Sequence, residues 1–131
     1  MPEVENEERV FDKVIALQGV VVPRLMYAGP MLGGRHAIAT SDCGQTLDVW
    51  AESASAEAKA IVGADARAKL RRLHEAGVLH RDIKAQNIGV DKNNTVRLFD
   101  LALSTDLEDV DSALAVAERE ALDTELRYLG A

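Results

Sequence analysis

Between His80 and Asp100 the sequence gathers polar side chains whose types suit one another. The run reads His80-Arg81-Asp82-Ile83-Lys84-Ala85-Gln86-Asn87, and Asp100 follows an intervening apolar and turn-forming stretch. A carboxylate such as Asp82 accepts or orients a hydroxyl proton. An ammonium such as Lys84 is a mobile point charge suited to an anion. Asn87 and Asp100 offer one neutral and one charged hard oxygen, a donor pair suited to Mg²⁺. Chemistry that needs these parts together is dominated by positioning and charge neutralisation, as phosphoryl transfer is.

The elements around this run must hold it. Ser53 or Ser55 caps a long helix running to about Glu75, with Ala58, Ile61, Val62, Ala66, Leu70 and Leu73 as its apolar stripe and Gly77 as its stop. After the loop, Ile88 to Asp91 and Thr95 to Phe99 read as strands of a hairpin around Lys92-Asn93-Asn94. That hairpin sets Asn87 and Asp100 at opposite ends of two paired strands, where they can face one ion. Upstream, a helix is expected from about Val4 to Leu17, then two strands, Val20 to Gly29 and His36 to Thr40, joined by a turn at Gly33-Gly34. A last helix is expected from about Val110 to Leu129, with Val110, Leu114, Ala117, Ala121, Leu122, Leu126 and Leu129 as its buried face and an acidic opposite face.

Composition limits the function classes. Fifteen Lys and Arg against 22 Asp and Glu give a net charge of −7, a poor match for a nucleic-acid backbone. A 47% hydrophobic content supplies a core and argues against disorder. Cys43 is the single cysteine, so no internal disulfide forms, no zinc spacing exists, and a reducing, intracellular (cytoplasmic) setting is expected. The acidic start MPEVENEERV is no signal peptide, and the longest apolar stretch, Val14 to Val22, is too short and too interrupted for a membrane span.

The His80–Asn87 run resembles the catalytic loop of eukaryotic protein kinases, in which His-Arg-Asp precedes an Asn by a fixed interval. Asp100 stands where that family places its magnesium-binding Asp. The resemblance implies ATP and Mg²⁺ as cofactors, Asp82 and Lys84 as catalytic residues, Lys84 and Asn87 against the nucleotide, and Asn87 and Asp100 on the metal. A Lys two residues after the Asp goes with Ser/Thr substrates in the family. Further out, Glu7 resembles the Glu of the family's C-helix, and Thr40 its gatekeeper. Ser41 to Gly44 resemble the hinge, whose backbone at Ser41 and Cys43 would contact adenine. Leu70 to Leu79 resemble the helix end that enters the catalytic loop. The similarity covers about Glu7 to Ser104 and is strongest from Leu70 to Asp100.

The implied fold is α+β and protein-kinase-like, truncated or minimal, with a small antiparallel sheet above a helical lower lobe, residues 1–131 forming a single partial domain. The pattern is incomplete. The sequence holds no Gly-rich phosphate loop and no strand lysine to pair with Glu7, Asp100-Leu101-Ala102 replaces the usual D-F-G, and Gly89 stands where an apolar side chain usually floors the adenine site. No A-P-E-like segment follows Ser104. A substitute cation could come from Lys13 or Arg35.

Three readings follow. One is a phosphotransferase moving the ATP γ-phosphate to a Ser/Thr hydroxyl of a protein. The second is a pseudokinase that binds a protein partner, or a second copy through an exposed lobe interface. The third is a small-molecule kinase of the aminoglycoside-kinase type, against which Arg81 and Lys84 argue. Individual residues also have plainer roles. His80 would hold the loop, Arg81 would form an ion pair or await a phosphate, and Glu7 would face solvent. Trp50 and Cys43 would be buried, and His36 and His74 surface or half-buried.

Overall fold

The structure, a computed structural model, describes residues 3–31 and 33–131. Helix α1 spans Glu3–Lys13, acidic in its first turn and basic in its last, as the helix dipole favours. It stops earlier than the apolar spacing suggests. Val14 and Ile15 are β-branched, and the chain there turns into a short 3₁₀ segment, Ile15–Leu17. Gln18 closes the end: its Nε2 donates to the freed Phe11 carbonyl (3.1 Å) and its Oε1 accepts from Leu25 N–H (3.0 Å).

Strands β1 (Leu25–Pro30) and β2 (His36–Thr40) form an antiparallel hairpin, with an irregularity between Leu25 and Tyr27. The expected strand at Val20–Val22 is instead a turn, with Val20 exposed and Val21 and Val22 buried. Pro23 has no N–H for a ladder, and the Val21 carbonyl accepts from Leu98 N–H (2.8 Å). The hairpin meets α1 through His36 and Glu8, 2.7 Å apart.

A second, three-stranded antiparallel sheet carries the loop of interest. Its strands are β3 (Gln45–Thr46), β5 (Ile88–Val90) and β6 (Val96–Leu98), in the order β3-β5-β6. A short helix α2 (Leu47–Ala51), which the sequence reading did not assign, follows β3 directly. Helix α3 (Ala56–Glu75) starts at Ser55, whose Oγ accepts from Ala58 N–H (3.1 Å). Its buried stripe is Val62, Ala66, Leu70 and Leu73, while Ile61 is 51% exposed. Strand β4 (Val78–Leu79) pairs with β7 (Thr105–Asp106). Helix α4 (Ala113–Tyr128) closes the described chain, capped by Ser112.

Helix α4 is rotated from its expected phase. Ala115, Glu118, Leu122 and Leu126 face inward, and Leu114 is 65% exposed. The two ends of its apolar pattern disagree in phase, and the inward demand of Glu118 decides between them. One core joins α1, the second sheet, α3 and α4 through Phe11, Leu47, Leu70, Ile88, Leu98 and Leu122.

The free edge of β6 is sealed by side chains from α3. Asp65 Oδ2 accepts from Val96 N–H (2.7 Å) and from Lys69 Nζ (3.0 Å), and Lys69 Nζ donates to the Val96 carbonyl (3.1 Å). Lys69 is 7% exposed, so its charge depends on that carboxylate. Asp65→Ala is expected to destabilise by about 3 kcal/mol, and adding Lys69→Met to recover part of the loss, because the stranded charge goes with it. Urea unfolding of both variants checks this.

Candidate active site

The loop between β4 and β5 is built around His80, which is fully buried. Its Nε2–H donates to the Phe99 carbonyl (2.8 Å), and its Nδ1 accepts from Asp82 N–H (3.1 Å). One ring thus ties the loop to the end of β6 and orients Asp82. Arg81 is held in the left-handed region at φ 71°, a conformation uncommon for non-glycine residues. The carboxylate of Glu118 over-determines it. Glu118 Oε2 accepts from Arg81 N–H (2.7 Å), and Oε1 accepts from His80 N–H (2.9 Å) and His74 Nε2–H (2.8 Å). Burial by itself would raise the Glu118 pKa, but the donors from His74, Arg81 and His80 outweigh it and hold the carboxyl below its ordinary range. Burial lowers the pKa of His80.

Asp82, Lys84 and Asn87 meet at the loop's open side. Asn87 Nδ2 donates to Asp82 Oδ2 (3.0 Å) and to the Asp82 carbonyl (2.9 Å), which fixes the amide orientation and leaves its Oδ1 as the free acceptor. Lys84 Nζ lies 3.8 Å from Asp82 Oδ1 with half its side chain exposed. The Asn87 carbonyl accepts from Phe99 N–H (3.0 Å), so Asp100 follows one residue beyond that bond. Because β5 and β6 are antiparallel, the opposite ends of the two strands are the same end of the hairpin.

Asp100 is also left-handed, at φ 59°, and again a carboxylate secures the next amide: Glu7 Oε2 accepts from Leu101 N–H (2.9 Å). Burial raises the Glu7 pKa, the Leu101 hydrogen bond opposes this, and the Asp100 charge adds to it. Glu7, Phe11, Pro23, Ile38, Thr40, Phe99 and Asp100 line a cleft of about 330 Å³. Glu7 is therefore half-buried against the site and not on a solvated face.

The segment from Ser41 to Gly44 crosses the other side of β5. A Cβ on Gly89 would lie 2.5 Å from Cys43 Cβ and 2.6 Å from its carbonyl oxygen, so Gly89 lets this segment close down on the sheet. Burial pushes the Cys43 thiol up to about 11. The Ser41 N–H donates to the Arg24 carbonyl (2.9 Å), so it is spent within the chain.

Of the expected site residues, Asp82, Lys84 and Asn87 are in direct contact, Asp100 adjoins them, and Ser41 and Cys43 lie across the sheet. The candidate substitute cations are elsewhere. Lys13 Nζ donates to the Gly77 carbonyl (2.7 Å) and to Asp106 (2.9 Å), and Arg35 is exposed beside the β1–β2 turn. Arg81 has no carboxylate within ion-pair distance among the described residues. The sequence reading missed Glu118 and misplaced His74, which is 2% exposed. The available signal was phase: Glu118, Leu122 and Leu126 share one helical face.

The fold is protein-kinase-like, and the family comparison agrees. The protein kinase domain profile matches residues 37–123, and the chain belongs to that family. Hormonally up-regulated neu tumor-associated kinase homolog B of Xenopus laevis is 49% identical over 35 residues, covering 27% of this chain and 6% of that protein. Its mouse counterpart is 40% identical over 55 residues, covering 37% and 8%. Serine/threonine-protein kinase PknB of Mycolicibacterium smegmatis is 37% identical over 51 residues, covering 39% and 8%. The matched segments are thus less than a tenth of each relative. Among the described residues, no helix is long and apolar enough to cross a membrane.

The depressed pKa values of His80 and Glu118 tie the stability of the loop to pH. Unfolding returns His80 to its ordinary 6.5, so below that pH the unfolded chain binds a proton the folded chain refuses. Glu118 contributes stability that is full above its ordinary 4.5 and is lost as pH falls through its lower folded value. The melting temperature is expected to fall in two stages, from about pH 6.5 and again below about pH 4.5. Calorimetry across that range checks it, and a flat profile between about pH 7 and 5 contradicts it.

Proposed function

We propose that the chain, as one partial kinase-like domain over residues 1–131, moves the ATP γ-phosphate to a Ser or Thr hydroxyl of a protein. The observation that carries this reading is the contact of Asp82 with both Asn87 and Lys84 at the hairpin end that also bears Asp100. Asn87 and Asp100 fit Mg²⁺ carried by a nucleotide. They supply two hard oxygens, and no cluster of three or more His, Cys, Asp or Glu among the described residues forms a closed cage. When bound, the ion would neutralise phosphate charge. Asp82, pinned at Oδ2 by Asn87, would orient the acceptor hydroxyl and take its proton. Lys84 is free to swing on its flexible stem from Asp82 towards the transferring group. With the Ser41 N–H spent and its carbonyl accepting from the Cys43 thiol (3.9 Å), adenine would rely on the Cys43 backbone and the remaining lone pair of the Ser41 carbonyl.

Calorimetry with Mg²⁺-ATP and a phosphotransfer assay test this together. Binding is expected to require Mg²⁺ and to vanish in Asp100→Asn. Transfer is expected to fall by about 10³-fold in Asp82→Asn with an unchanged melting temperature. A folded chain that binds no nucleotide, or an Asp82→Asn variant as active as the parent, contradicts the reading.

One observation favours the second reading, a pseudokinase acting as a protein-binding module. Among the described residues no Lys or Arg lines the cleft beside Glu7 and Asp100, and Glu7 instead holds the Leu101 amide. On this geometry Glu7→Gln keeps the hydrogen bond and is expected to leave stability unchanged, while Glu7→Ala loses about 1 kcal/mol. Chemical denaturation of the two variants checks it. Equal losses in both would mean that Glu7 acts through its charge.

A further inference from the structure

The Glu118 carboxylate does not end the hydrogen-bonded chain behind the catalytic loop. His74 Nε2–H donates to it (2.8 Å), and the opposite ring nitrogen, Nδ1, lies 2.8 Å from Arg119 Nη1. A guanidinium has only donors. His74 Nδ1 must therefore accept, and the ring proton must sit on Nε2, facing Glu118. Arg119 Nη1 also reaches the Val110 carbonyl (2.9 Å), which fixes the guanidinium against the turn before α4. The order of the relay is Val110, Arg119, His74, Glu118, then the amides of His80 and Arg81.

We propose that Arg119 is a positioning residue for phosphoryl transfer: by fixing the His74 tautomer it aims the Glu118 carboxylate at the backbone that carries Asp82. Without Arg119 one of the two groups that select the Nε2–H form is lost: the Glu118 carboxylate alone still favours it, and a proton on Nδ1 no longer faces a guanidinium donor. The tautomer protonated on Nδ1 turns an acceptor towards Glu118 and removes one of its three donors. The loop then gains freedom at Arg81, which is already left-handed. Arg119 touches neither Asp82 nor Asn87, so its effect belongs on the acceptor-orienting step and not on nucleotide binding.

The setting also supplies a stringent test. Arg119 borders a cavity of about 220 Å³ between α3 and α4, shared with Arg67, Leu122 and Asp123. Truncating Arg119 leaves a hole open to that cavity and large enough for a free guanidinium ion. Arg67 lines the same cavity but pairs with Asp123 (2.8 Å) outside the relay, which makes Arg67→Met the matched control.

The experiment has two arms. The first reads the histidine ring nitrogens and the His80 and Arg81 amide signals by NMR in the full chain. The expected result is a single Nε2–H form of His74 in the parent and in Arg67→Met. In Arg119→Ala a mixture of tautomers and upfield amide shifts are expected, reversed by guanidinium well below denaturing concentration. The second arm rests on the phosphotransfer reading. Arg119→Ala is expected to lower kcat about tenfold with the KM for ATP unchanged, again reversed by guanidinium. If Arg119→Ala does not fold, Arg119→Met replaces it, keeping an unbranched stem while losing the Nη1 donor that reaches both His74 Nδ1 and the Val110 carbonyl. An Nδ1–H or doubly protonated His74 in the parent overturns the proposal, as does a variant whose ring and amide signals match the parent. Inactivity of a parent chain with the expected NMR pattern overturns the phosphotransfer reading and leaves the tautomer assignment standing.

Discussion

The loop that carries Asp82 depends on one buried carboxylate. Glu118 is 8% exposed, and a charge at that depth is tolerated only with its acceptor capacity filled. The donors that fill it are His74 from α3 and the amides of His80 and Arg81. That requirement couples two long helices to the backbone of the loop. It also explains why α4 turns Leu114 to solvent and an acid to the core. Removing the acid would leave the left-handed Arg81 without the bond that holds it, and Asp82 is the next residue along.

A second carboxylate performs the same task beside Asp100. Asp100 is left-handed, and Glu7 of α1 holds the amide that follows it. Arg81 and Asp100 are thus each secured by an acid projected from a helix, one near each end of the chain. The β5–β6 hairpin is the rigid piece between them, sealed on its free edge by Asp65 and Lys69 and joined to the loop by the Asn87–Phe99 bond. Strain at a functional site persists where the surroundings over-determine it, and here the surroundings are hydrogen-bonded carboxylates.

Much of this was legible in the sequence because it is local. The spacing of Asp82, Lys84 and Asn87, the hairpin turn, and the Ser55 cap rest on contacts within a few residues of one another. The kinase-like α+β architecture followed from them. Less legible were features set by distant partners. Val21 was read as strand, but its carbonyl belongs to Leu98. The first helix looked longer than α1 because its apolar spacing continues through Val14 and Leu17, which are buried beyond the helix end. His74 looked like a surface or half-buried residue because nothing near it in sequence reveals Glu118 and Arg119. Strand β3 and helix α2 are too short to announce themselves by periodicity.

The most direct test of this account is amide hydrogen exchange at His80 and Arg81 in the native chain, compared with Glu118→Leu. If Glu118 builds the loop, both amides exchange as slowly as the buried helix α3, and the substitution accelerates them while the amides of the β5–β6 hairpin keep their protection. If both amides of the unaltered chain exchange at the rate of an open surface loop, the carboxylate does not hold the loop, and the central claim is wrong.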